Sequence, residues 1–222
     1  MTEREWRGKF DFDLYIEACE WLLEEKKNHR KLLLWSCACC RRLGALLTDQ
    51  RSWQAIEAAE RKADGLAKKD EVGTARDAAK LVPRIRERLR GTPQEWAASA
   101  PVFLLNPSAA EFSQTAAIRA SIAMEKSGAA TRDAENQLQF EMLRDIFGNP
   151  FRPVPFDPGW RTSTVVSLAK GMYESRDLST MPILGDALQD AGCEQADILK
   201  HCGGGGPHVR GCWVVDLVLG RR

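Results

Sequence analysis

The stretch NHRKLLLWSCACCRRLGALL, residues 28–47, carries apolar side chains on two stripes at once. Leu32, Trp35, Cys39, Leu43 and Leu46 recur at three- and four-residue steps, and Leu33, Cys37, Cys40 and Leu47 form a second line beside them. A helix that is apolar round most of its circumference must be buried round most of it. The pattern predicts a central helix from about Asn28 to Leu47, and an all-α fold, a single compact multi-helix bundle, assembled around it.

Helical signals continue on both sides. Asp11 or Asp13 is placed to cap FDLYIEACEWLLEE, in which Leu14, Ala18, Trp21 and Leu22 share a face. Asp49 precedes QRSWQAIEAAERKADGLAKK with Trp53, Ile56, Ala59, Ala63 and Leu66 on one side. A fourth helix is expected from Glu71 to Arg90, kinked or divided at Pro83 and stopped by Gly91. Its arginine-rich end, RIRERLR at 84–90, fans round the helix surface as a solvated face. Thr92-Pro93 and Asn106-Pro107 each read as an N-cap followed by a first helical proline. Another helix should run from Arg132 to Phe147, ended by Gly148. Beyond it, helices are expected over TVVSLAKGMYESR, PILGDALQDAG, EQADILKHC and from Pro207 to about Leu219. No strand pair or hairpin turn is evident.

The composition changes at Gly148. GNPFRPVPFDPGW holds four prolines in thirteen residues, with Phe151, Phe156 and Trp160 between them. Prolines restrict the unfolded chain and aromatics give a segment something to bury, so residues 148–162 read as an ordered strap packed across helices. The expected organisation is thus an N-terminal helical part (1–147), the strap (148–162) and a C-terminal helical part (163–222). The last would pack on the Leu32–Leu47 helix to make one domain overall.

Charge and composition narrow the function. Lys and Arg number 32 against 31 Asp and Glu, a net charge of +1, without the basic excess of a nucleic-acid binder. Apolar residues at 44% and charged residues at 28% belong to a globular chain. No apolar run approaches the roughly 20 residues that cross a bilayer. The charged start, MTEREWRGKFDFD, has no apolar signal core, which points to a cytoplasmic protein without membrane contact. In a reducing compartment the seven cysteines are then core residues, metal ligands or reactive thiols before they are disulfides.

The chemistry-bearing residues gather at the end, in CEQADILKHCGGGGPHVRGCWVVDLVLGRR (193–222). Cys193, His201, Cys202, His208 and Cys212 are zinc-ligand types. His208 and Cys212 stand four apart, a bidentate spacing on a helix face. Cys37 and Cys40, three apart on the central helix, could complete a site that staples the two ends of the chain. The same thiols are equally accounted for as small buried hydrophobes. Gly203–Gly206 before an expected helix start could hold an anion, with His208 and Arg210 in the first turn, though neither nucleotide-binding glycine pattern is present. Cys202, His208 and Asp216 are the residue types of a thiol nucleophile, its base and an orienting acid.

The segments GNPFRPV, TVVSLAKGMYE, PILGDALQDAGC, ILKHC and HVRGCWVVDLVLG resemble the C-terminal signature of a large bacterial paralogous family of unknown function. KLLLWSCACCRR is similar to that family's other signature segment. The resemblance implies no activity, cofactor or partner. With no complete catalytic constellation, the sequence points away from an enzyme and toward a non-enzymatic protein-interaction or regulatory domain that presents helix faces or the proline-aromatic strap to a protein partner. Two alternatives remain open: a zinc-binding protein using the cysteines and histidines named above, and an anion- or nucleotide-handling enzyme using the glycine corner.

Overall fold

A computed structural model describes residues 1–85 and 90–221. Among the described residues there are twelve α-helices and no strand, so the fold is all-α. In chain order they are α1 (Glu3–Arg7), α2 (Phe12–Leu23), α3 (His29–Arg41), α4 (Gln50–Ala63), α5 (Lys69–Ile85), α6 (Pro93–Leu104), α7 (Ser113–Ser127), α8 (Arg132–Phe147), α9 (Ser163–Ser175), α10 (Met181–Asp190), α11 (Ala196–Gly203) and α12 (Trp213–Leu219). Most of the arginine-rich run at 84–90 lies outside the described residues. They form two compact units: Gly8–Phe140 with Met1, and Thr2–Arg7 with Glu141–Arg222.

In the first unit α3 is central. Every residue from Leu32 to Cys40 is buried, and the helix packs against α4, α6 and α7. The helix stops at Arg41 rather than Leu47 because Gly44 takes a left-handed φ of 48°, from which a short 3-10 turn (Gly44–Leu46) follows. Asp11 does cap α2, its carboxylate accepting from the backbone N–H of Asp13 and Leu14. Asp49 caps α4 in the same way through Arg51 N–H. The Asn106-Pro107 device makes no helix start. Asn106 Oδ1 accepts instead from Ser108 N–H in a turn, and α7 begins at Ser113.

Polar groups inside this unit are satisfied in pairs. Trp35 Nε1 donates to the Gln139 carbonyl at 2.8 Å, and Tyr15 OH to Gln139 Oε1 at 3.0 Å. Arg42 makes two 2.8 Å hydrogen bonds to Glu135, whose side chain is fully buried. Cys37 and Cys40 face this same interior, the Cys37 thiol 4.0 Å from the Ile56 carbonyl on α4.

The second unit has its own core. Val165, Ala169, Met172 and Tyr173 from α9 pack with Leu184 and Leu188 of α10, Ile198 and Cys202 of α11, and Val214, Val215 and Val218 of α12. Val154, Phe156 and Trp160 of the proline-rich segment lie against that core, so 148–162 packs across the helices of this unit. Arg161 at its end donates to the Leu217 and Val218 carbonyls, both at 2.9 Å, and so supplies partners for the C-terminus of α12. The short α1 belongs here as well. Trp6 Nε1 donates to the Gly148 carbonyl at 2.9 Å, and Glu3 accepts from Asn149 and Arg152.

Candidate metal centre

Four side chains of the second unit converge. One donor atom from each of Asp145, His201, His208 and Cys212 lies within 4.8 Å of all the others. Asp145 comes from the last turn of α8 and His201 from the last turn of α11. His208 sits in the irregular segment after the glycine run, and Cys212 occupies the N-cap position of α12.

The local sequence explains how they meet. After α11 the chain reverses through Gly203–Gly206, and at Gly204 an added Cβ would stand 3.2 Å from the Lys200 carbonyl oxygen. That reversal lays the His208 ring against His201, with centroids 4.8 Å apart and edge to face. Gly211, at φ 95°, then turns Cys212 inward. The helix expected from Pro207 starts only at Trp213. The glycine run therefore does not lead into a helix N-terminus, so the helix start expected to hold an anion is not at that position. His208 and Cys212 approach through a turn, with Cys212 N–H donating to the Val209 carbonyl at 2.9 Å, and not through i,i+4 helix geometry.

Distances within the group are short. His208 Nδ1 is 2.8 Å and His201 Nε2 3.1 Å from the same Asp145 Oδ1. His201 Nε2 is also 3.1 Å from Cys212 Sγ. The second Asp145 oxygen accepts from Val209 N–H at 2.9 Å. Burial acts to raise the Asp145 pKa, but the hydrogen bonds from His201 and His208, with the Val209 N–H, overcome it and hold the carboxyl below its usual value. The hydrogen bond to Asp145 raises the His208 pKa against desolvation. The Gly204 carbonyl stands close enough to add to that shift, yet the buried His208 Nε2 has no partner within hydrogen-bond geometry. Burial raises the Cys212 thiol well above its ordinary value and the Asp145 charge adds to this, while the Val214 and Val215 N–H groups act in the opposite sense.

Of the seven residues proposed from sequence, His201, His208 and Cys212 are brought together here. Cys193 and Cys202 are buried in the core of the second unit outside the group, and burial pushes the Cys202 thiol up to about 12. Cys37 and Cys40 belong to the first unit, on α3. Asp145 is the member of the group that sequence reading missed. Its only signal was a carboxylate in the last turn of a predicted helix. The Cys202 thiol is buried with a raised pKa, the reverse of an activated one, and the carboxylate that His208 meets is Asp145.

The cluster forms part of the wall of an open cavity of about 660 Å³. Asp145, His201 and His208 line it, whereas Cys212 lies behind them, fully buried. No family model matches the chain, and neither a curated protein nor a solved structure matches it.

Proposed function

We propose that the second unit binds one divalent transition-metal ion, zinc by its donor set, through Asp145, His201, His208 and Cys212. The observation that carries this reading is the single nitrogen His201 Nε2, placed 3.1 Å from both Asp145 Oδ1 and Cys212 Sγ. A catalytic triad needs the thiol on one ring nitrogen and the carboxylate on the other. A single imidazole nitrogen either donates its N–H or accepts through its lone pair, so His201 Nε2 cannot donate to the carboxylate and accept from the thiol at the same time. An ion at the point where the donors converge satisfies them together.

The donor set supports zinc. Tetrahedral zinc takes nitrogen and oxygen at about 2.0–2.2 Å and sulfur at about 2.3 Å, which separates ligands by about 3.2–3.8 Å. The contacts of 2.8–3.1 Å within the group have to open by a few tenths of an ångström, and donor pairs lying up to 4.8 Å apart have to close by about one. One thiolate, two imidazoles and a carboxylate form a borderline-soft set, unsuited to magnesium or calcium. The Val209 N–H on the second Asp145 oxygen and the Val214 and Val215 N–H groups at Cys212 supply the outer hydrogen bonds that orient metal ligands.

Elemental analysis of chain purified without chelator tests the reading. About one zinc per chain is expected, with His201→Ala and Cys212→Ser each weakening zinc binding by about tenfold or more. A folded wild-type chain that takes up no ion from micromolar zinc overturns it, and leaves the four side chains as a hydrogen-bonded cluster.

A further inference from the structure

The conformation of the glycine run does not require its glycines. None of Gly203, Gly205 and Gly206 has a positive φ, and a Cβ added to any of them would meet nothing within 4 Å. Only Gly204 is held close, against the Lys200 and His201 carbonyls. Alanine would fit at the other three positions and would lose less freedom on folding. Exposed glycines that the closed arrangement does not need point to a second arrangement of the same segment.

What the segment carries identifies that arrangement. Asp145 and His201 stand in the last turns of α8 and α11, and Cys212 is fully buried at the N-cap of α12. His208 alone of the four sits on irregular chain away from any helix end. Val209 anchors the far side, its N–H donating to Asp145 and its carbonyl accepting from Cys212 N–H, both at 2.9 Å. His208 is tied through Nδ1 to Asp145 Oδ1, while its buried Nε2 has no partner in hydrogen-bond geometry. Swinging the ring outward breaks the first contact and gives Nε2 access to water, which offsets part of the cost.

The direction of movement matters to an ion. Cys212 does not reach the cavity, whereas Asp145, His201 and His208 line it, with Gly204, Gly206 and Pro207 beside them. An ion held by the four donors therefore has its way out on the side where the movable ligand stands.

Resting on the metal reading above, we propose that residues 203–208 are a latch and that the ion is exchangeable. The glycine arm opens with His208, leaving the ion on Asp145, His201 and Cys212 with one position free for a competing ligand. Closure restores the fourth donor. A structural zinc site keeps all four ligands fixed, and this one opens.

The test measures zinc uptake, zinc release to a chromophoric chelator, and equilibrium affinity in full-length chain. Gly205→Ala combined with Gly206→Ala thins the open conformers whether or not zinc is bound. Uptake and release should slow together by about fivefold or more, with affinity changed by less than about twofold. Gly171→Ala, exposed on α9 with open space around it, should alter none of the three. His208→Ala, which deletes the moving ligand, should speed release about tenfold or more. Zinc bound at wild-type rates by the double variant overturns the latch and leaves the metal site standing. So does a change in release alone, slowing reproduced by Gly171→Ala, or release from His208→Ala no faster than from wild type. A chain that binds no zinc overturns both.

Discussion

Asp145 shows why a single carboxylate can organise a site. Almost wholly removed from water, it would favour protonation, yet three donors on its two oxygens hold its pKa below the ordinary value. The pH behaviour of metal-free chain follows. The lowered Asp145 pKa contributes stability that is present above its ordinary value, about 3.9, and lost as pH falls through the folded value. The raised His208 pKa contributes stability that is complete below its unfolded value, about 6.5, and lost as pH rises through the folded one. Urea midpoints of metal-free chain should therefore decline on both sides of mildly acidic pH. Zinc reverses the alkaline limb. It must displace the His208 proton, so its apparent affinity should climb with pH, measurable by competition with a chromophoric chelator. His201, His208 and Cys212 were legible as ligand types because cysteine and histidine are scarce. Asp145 was not, being one of 31 acidic residues and 56 positions upstream of its nearest partner.

Elements explain what punctuation could and could not say. The caps at Asp11 and Asp49 and the glycine stops were readable because each acts through its own few neighbours. The start of α12 was not. Four glycines and a proline look like a helix entrance, but the chain spends Pro207–Cys212 in a turn that delivers His208 and Cys212. Two substitutions probe element junctions. Gly148 ends α8 at φ 65°, and an added Cβ would stand 3.0 Å from Trp213 Cγ. Gly148→Ala should cost about 1–3 kcal/mol in chemical denaturation, from backbone strain and displacement of the indole. Arg42 at the end of α3 is the bidentate partner of Glu135 on α8. Arg42→Met should cost about 3–5 kcal/mol, because it strands a buried carboxylate. Arg42→Met combined with Glu135→Leu should recover much of that loss.

At the scale of the whole chain, helical periodicity foretold the all-α class, since each helix announces its buried face locally. It does not report which helices share a core. The division between the two units falls within α8, between Phe140 and Glu141, where neither composition nor turn residues change. All four proposed ligands belong to the second unit. Chelation should accordingly accelerate amide hydrogen exchange in α11, α12 and the intervening turn. It should leave α3, α4 and α7 protected as before.

The Trp213 ring lies 5.1 Å from the His201 imidazole. Indole emission responds to the charge of an imidazole in contact, so replacing a ring proton with an ion should alter the brightness of Trp213. Occupancy can then be followed in unlabelled protein by light alone, using Trp213→Phe to identify its share among the chain's seven tryptophans.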